Sequence, residues 1–171
     1  MRGPPRLGPE AAGAGSAGAR FLANYKCLEA GNFFMLLPAE IESKTLIPAL
    51  RAIIAKKLAE DHDIREDEIS KMLGVTQAAI SNYIRGTRGD PVLIGKLLSQ
   101  DKVAAMIDDL CDNLASDMAY TPLSLSKFIG LCNYIKSSLL ICEIHHNLES
   151  DIDEEVCKEC ESMLLKGPGG F

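Results

Sequence analysis

The chain has 171 residues, 47% of them hydrophobic and 5% aromatic, with no tryptophan. That length allows one or two domains and enough apolar mass for a helical core. It offers little for a broad aromatic stacking platform, and no apolar run approaches the roughly 20 residues of a membrane span. The formal charge of −6 is unevenly spread: residues 42–89 hold eight Lys or Arg against seven Asp or Glu, and residues 101–171 hold five against thirteen. The acidity belongs to the second half, where it bears on steering and solubility rather than fold.

Residues 1–20, MRGPPRLGPEAAGAGSAGAR, are rich in Gly, Ala and Pro and are expected to be disordered. They lack the apolar core of a signal peptide, and Met35 is a plausible alternative start. The expected compartment is the reducing cytoplasm, where clustered cysteines more often bind metal than pair as disulfides. The stretch 21–37 is ambiguous. Its Phe21, Leu22, Tyr25, Leu28, Phe33 and Phe34 suit an extra helix, with Cys27 as a packing or surface thiol.

From Glu40 to Glu60 the apolar residues Ile41, Leu46, Leu50, Ile53, Ile54 and Leu58 recur near helical period. This predicts one long helix with Arg51, Lys56 and Lys57 mostly off its stripe. Next comes IREDEISKMLGVTQAAISNYIRG, residues 64–86. The spacing predicts two short helices around a tight turn at Gly74-Val75, closing over Ile69, Leu73, Val75, Ile80 and Tyr83. Glycine takes φ > 0 at such a turn without steric cost, and Thr76 is placed to N-cap the second helix. That helix exposes Gln77, Ala78, Ser81, Asn82 and Arg85, short or small side chains that suit the floor of a DNA major groove, where Gln and Asn pair with adenine.

The segment resembles the helix-turn-helix of the lambda-repressor/Cro-like superfamily. With Leu46 to Ile84 around it, the chain is similar to archaeal predicted transcriptional regulators. The resemblance implies sequence-specific binding of double-stranded DNA, with Gln77, Ala78, Ser81 and Asn82 at the bases, Thr76 beside them in the interface, and Arg85 and Arg88 on phosphates. The family often has Gln where Glu66 stands, using it near the DNA backbone. A carboxylate there would repel phosphate, so that contact is not carried over. Gly86 is placed to end the reading helix in a left-handed conformation.

Val92 to Gln100 and Asp101 to Met118 read as two further helices, the second with a buried stripe of Val103, Met106, Ile107, Leu110 and Leu114 bordered by Cys111. Tyr120-Thr121-Pro122 breaks the pattern. It divides a DNA-binding domain, residues 38–119, from a C-terminal region, residues 120–171. A long helix is expected from Ser124 to Ile144, with Phe128, Leu131, Cys132, Ile135, Leu139 and Cys142 on one side. Such a stripe packs inside the chain or against its twin. A homodimer through this region is expected, since paired recognition helices read half-sites one DNA turn apart.

The stretch 141–160, ICEIHHNLESDIDEEVCKEC, contains Cys142-x2-His145 and Cys157-x2-Cys160. Two ligand pairs separated by a loop suit a tetrahedral metal. Thiolates and imidazole suit either zinc or an iron–sulfur cluster that senses redox or metal state. His146 is an alternative to His145. The sequence contains no HExxH, GxSxG or Rossmann fingerprint, and the expectation is a protein that is not an enzyme. The fold expected is all-α: a lambda-repressor-like helix-turn-helix bundle, then a helical region for dimerisation and metal. The alternative is a protein-interaction adaptor with a purely structural zinc.

Overall fold

The computed structural model describes residues 37–148 and 152–166. The disorder expected of residues 1–20 and the helix considered for 21–37, all but Leu37, lie outside them. Among the described residues the chain is all-helical, with no strand.

The elements are α1 (Pro38–Ile41), a π turn (Glu42–Leu46), α2 (Ile47–Glu60), α3 (Glu66–Leu73), α4 (Gln77–Ile84), α5 (Pro91–Leu98), α6 (Asp101–Asp117), α7 (Pro122–Ser137), α8 (Leu140–Leu148) and α9 (Glu154–Lys166). The single helix expected from Glu40 to Glu60 thus carries a wide turn near its start. Pro48 explains it. Proline has no N–H to return to the carbonyl of Lys44, and its ring crowds that carbonyl. Opening the helix by one residue relieves the crowding.

Helix α2 is the central post. Ala49, Leu50, Ala52, Ile53, Ile54, Ala55 and Leu58 are all buried, and α3, α4, α5 and α6 pack around it. The loop after α4 comes close to this post at Gly89 (φ +96°), where an added Cβ would lie 3.1 Å from the Ala52 methyl. Ion pairs bind the outer layer. Lys57 meets Asp108 of α6 at 2.7 Å, and Lys127 of α7 meets Asp109 at 2.6 Å. Lys136 of α7 meets Glu42 at 3.0 Å, and Lys96 of α5 pairs with Glu143 of α8.

The break expected near Tyr120 is present, since α6 ends at Asp117 and α7 begins at Pro122. Thr121 and Ser124 form a capping box there, each side chain satisfying an early backbone N–H of the other. Helix α7 folds back on α6, and one hydrophobic cluster runs from Ile41 through Leu114 to Leu131 and Ile141. The stripe considered for dimerisation therefore packs within the chain: Leu131, Cys132 and Ile135 are buried. The long helix expected over Ser124–Ile144 is broken in two. Ser137 and Ser138 donate their hydroxyls to the carbonyls of Tyr134 and Ile135. These local bonds compete with helix continuation, and Leu139 then turns left-handed at φ +58°.

No described helix is long and apolar enough to cross a membrane.

Candidate nucleic-acid interface and the cysteine–histidine cluster

Helices α3 and α4 have eight residues each and are joined through Gly74, Val75 and Thr76. Three acids, Glu66, Asp67 and Glu68, open α3, where negative charge complements the helix dipole. Gly74 closes it in the left-handed conformation at φ +61°. Its N–H and that of Val75 both return to the carbonyl of Ser70. Thr76 is extended, and its hydroxyl oxygen accepts from the Ala79 N–H at 3.2 Å. Ile69, Met72, Leu73, Ala79, Ile80 and Tyr83 turn inward, leaving the opposite side of α4 to solvent.

That outer side carries the residues named from the sequence. Thr76, Gln77, Ala78, Arg85 and Arg88 are exposed; Ser81 and Asn82 are half-buried. Gln77, Ser81 and Arg85 recur every four residues, and Ala78 and Asn82 run beside them, so the set shares one face. Gln77 donates from Nε2 to Glu66 Oε2 at 2.6 Å. Asn82 Oδ1 accepts from Arg85 Nη2 at 3.2 Å, with the Thr87 hydroxyl 3.3 Å away. The Arg88 guanidinium stands 5.2 Å from the Tyr83 ring centroid, a cation–π contact that steadies an otherwise free side chain. Glu66, Thr87 and Tyr83 thus orient the outward groups. From sequence alone Glu66 reads as a repulsive charge and Tyr83 as a core residue. The one usable signal was that an acid at the first position of α3 lies across the turn from the first residue of α4.

Lys56 and Lys57, off the buried stripe of α2, pair with acids of the fold. Lys56 pairs with Glu60 at 4.0 Å and Lys57 with Asp61 and Asp108.

At the other end, Cys142, His145 and His146 lie on α8, and Cys157 and Cys160 on α9. Cys157 Sγ and His146 Nε2 are 3.3 Å apart. Zinc ligands at about 2.3 Å for sulfur and 2.0 Å for nitrogen stand roughly 3.5 Å from each other in a tetrahedron. His146 therefore stands at co-ligand distance from the Cys157 thiol. His145 lines a groove of about 340 Å³ together with Leu37, Pro38, Cys157, Cys160 and Met163. Cys142 is held near 11 by burial first, then by Glu161, Cys160 and Cys157. Cys160 is also raised, by burial and then by Cys157. These thiols lie close enough to oppose one another's ionisation, an opposition that a bound cation reverses. As the side chains stand, no three His, Cys, Asp or Glu among the described residues converge to hold a metal ion. The four-ligand set Cys142, His145, Cys157 and Cys160 is thus not assembled. Cys111 and Cys132 are buried, with pKa values pushed by burial to about 12 and about 11, as inert packing requires.

Helix α9 has no fully buried residue, so apolar burial contributes little to holding it in place.

No protein-family profile, curated protein or solved structure is significantly similar to the chain.

Proposed function

We propose that the chain is a sequence-specific DNA-binding transcriptional regulator with a lambda-repressor-like helix-turn-helix formed by α3 and α4. The observation that carries this reading is the outer face of α4. It presents Gln77 and Ala78 exposed and Ser81 and Asn82 half-buried, with Arg85 and Arg88 exposed at its end. Gln and Asn on such a face pair with base edges, each good bidentate pair discriminating by about 1–3 kcal/mol. The arginines hold phosphates and set register. A homodimer fits this role, since two copies would span two half-sites. The stripe of α7 that packs inward leaves Leu125 and Ile129, both exposed, as the apolar side open to a second copy.

The test is binding of the full chain to a selected duplex and to unrelated duplexes at two salt concentrations. Asn82→Ala relaxes sequence choice. Arg85→Ala weakens every duplex alike and lowers the salt slope by about one. Equal losses from both variants on all sequences would remove the division of roles, and a flat salt response would remove the reading itself. That flat response is what the adaptor alternative requires, in which the same face binds protein. The Glu66 carboxylate beside Gln77 is the feature that favours it.

The cysteine–histidine set belongs to the same proposal as a site for zinc or an iron–sulfur cluster. Its support is the spacing of His146 and Cys157, with Cys142 and Cys160 beside them. A metal there would supply the tie that α9 lacks in apolar burial, because metal binding is folding energy for such a segment. Metal analysis and the visible spectrum of purified protein decide the point. Zinc without colour makes the site structural, iron with sulfide makes it a sensor, and neither removes it.

A further inference from the structure

The end of α3 meets α2 and α7 around a half-open cavity of about 280 Å³. Met72, Tyr120 and Phe128 supply its apolar wall, Gly74 part of its edge, and Arg51 and Lys71 its charge. The two cations are not equivalent. Lys71 is 79% exposed and lies 3.9 Å from Asp67, so water and a carboxylate already serve it. Arg51 is half-buried on α2. Among the described residues no carboxylate, carbonyl or ring takes any of its five donors, whereas each comparably buried lysine has a carboxylate. Lys44 has Glu40, Lys57 has Asp108, Lys96 has Glu143, Lys127 has Asp109 and Lys136 has Glu42. In a chain with an acidic surplus, this one guanidinium faces an apolar hollow instead. Its donors are left to the water in the mouth of the hollow, and an anionic ligand would give them a charged partner.

We propose that this cavity binds a small aromatic monocarboxylate. The guanidinium fork matches a carboxylate with two parallel hydrogen bonds. An aromatic ring fits against Phe128 and Tyr120. The volume lies just below the roughly 300–1,000 Å³ usual for ligand pockets, which suits one ring with a short acid arm and excludes a nucleotide. A phosphate dianion would bring a second charge that only the exposed Lys71 could meet, beside an apolar wall. An occupant would join the end of α3 to α7, and the site stands whether or not α4 reads DNA.

The probes are phenylacetate and its uncharged amide, phenylacetamide, titrated into the full chain by calorimetry. Phenylacetate binds with at least about tenfold preference over the amide, the scale of one lost charge-assisted hydrogen bond. Arg51→Gln abolishes that preference while leaving the ligand-free melting temperature near that of the parent chain. Tyr120→Ala weakens both probes. Equal binding of acid and amide, a preference that survives Arg51→Gln, no saturable phenylacetate binding, or tighter binding of inorganic phosphate would each overturn the proposal.

Discussion

Glu66 is the residue on which the interface turns. Its carboxylate fixes the Gln77 amide by accepting from Nε2 at 2.6 Å, yet it places a negative charge beside the surface proposed to meet phosphate. Glu66→Gln keeps an acceptor for Gln77 and removes the charge. Exposed charge pairs are worth about 0.2–1 kcal/mol, so this variant raises affinity for duplex DNA by up to about fivefold without altering sequence preference. Weaker binding by the variant would show that Glu66 serves some other partner. This pair also shows where sequence reading stops. Thr76 and Gly74 were legible because a cap and a left-handed turn are written in residue type. The contact of Gln77 with a residue eleven positions earlier depends on how the turn folds α4 back. His145 and His146 were not separable for a similar reason. From Cys142 they stand at i+3 and i+4, and both spacings share a helix face.

Among the elements, the reading pair and the central post were well marked by their periodicity, whereas two helix ends were not. One is the break at Leu139, made by serine side chains and a left-handed leucine. The other is the end of α6 at Met118, left-handed at φ +48° and 50% exposed. Nothing in a sequence announces a leucine or methionine in that conformation, since L-residues other than Gly, Asn and Asp rarely adopt it. At Met118 the side chain contributes little packing, so the backbone cost dominates. Met118→Gly raises stability by about 0.5–1 kcal/mol, the left-handed penalty less the entropy that glycine returns to the unfolded chain. A urea titration that gives a lower midpoint would mean that the methionine packs more than its exposure implies.

Across the described residues the thiols are held toward their neutral form. Cys111 stands near 12, Cys132 and Cys142 near 11, against an ordinary 9.0, burial being the first cause for each. Between pH 9 and 11 the unfolded chain releases these protons while the folded chain keeps them, so stability falls with rising pH in that window. Lys57, raised chiefly by its hydrogen bond to Asp108, acts in the same direction. It keeps its proton in the folded state above pH 10.5, where the unfolded chain loses it. The urea midpoint of metal-free protein is therefore level from pH 7 to 8.5 and drops by pH 10.5, and Cys132→Ala shrinks the drop. A midpoint unchanged at pH 10.5 would mean that the thiols ionise as freely folded as unfolded. Residues 38–60 have one more consequence at this scale. They form a single rod whose front, α1, rests on α8, with Glu42 gripping Lys136, while its rear carries the reading pair. Removing one residue between Ser43 and Thr45 would tighten the wide turn to ordinary pitch and spin the front by roughly 100°, one residue's share of a 3.6-residue turn. The two ends of the rod are thus geared by a residue count, and a single-codon deletion could uncouple the tail's seat while leaving the reading pair on its own.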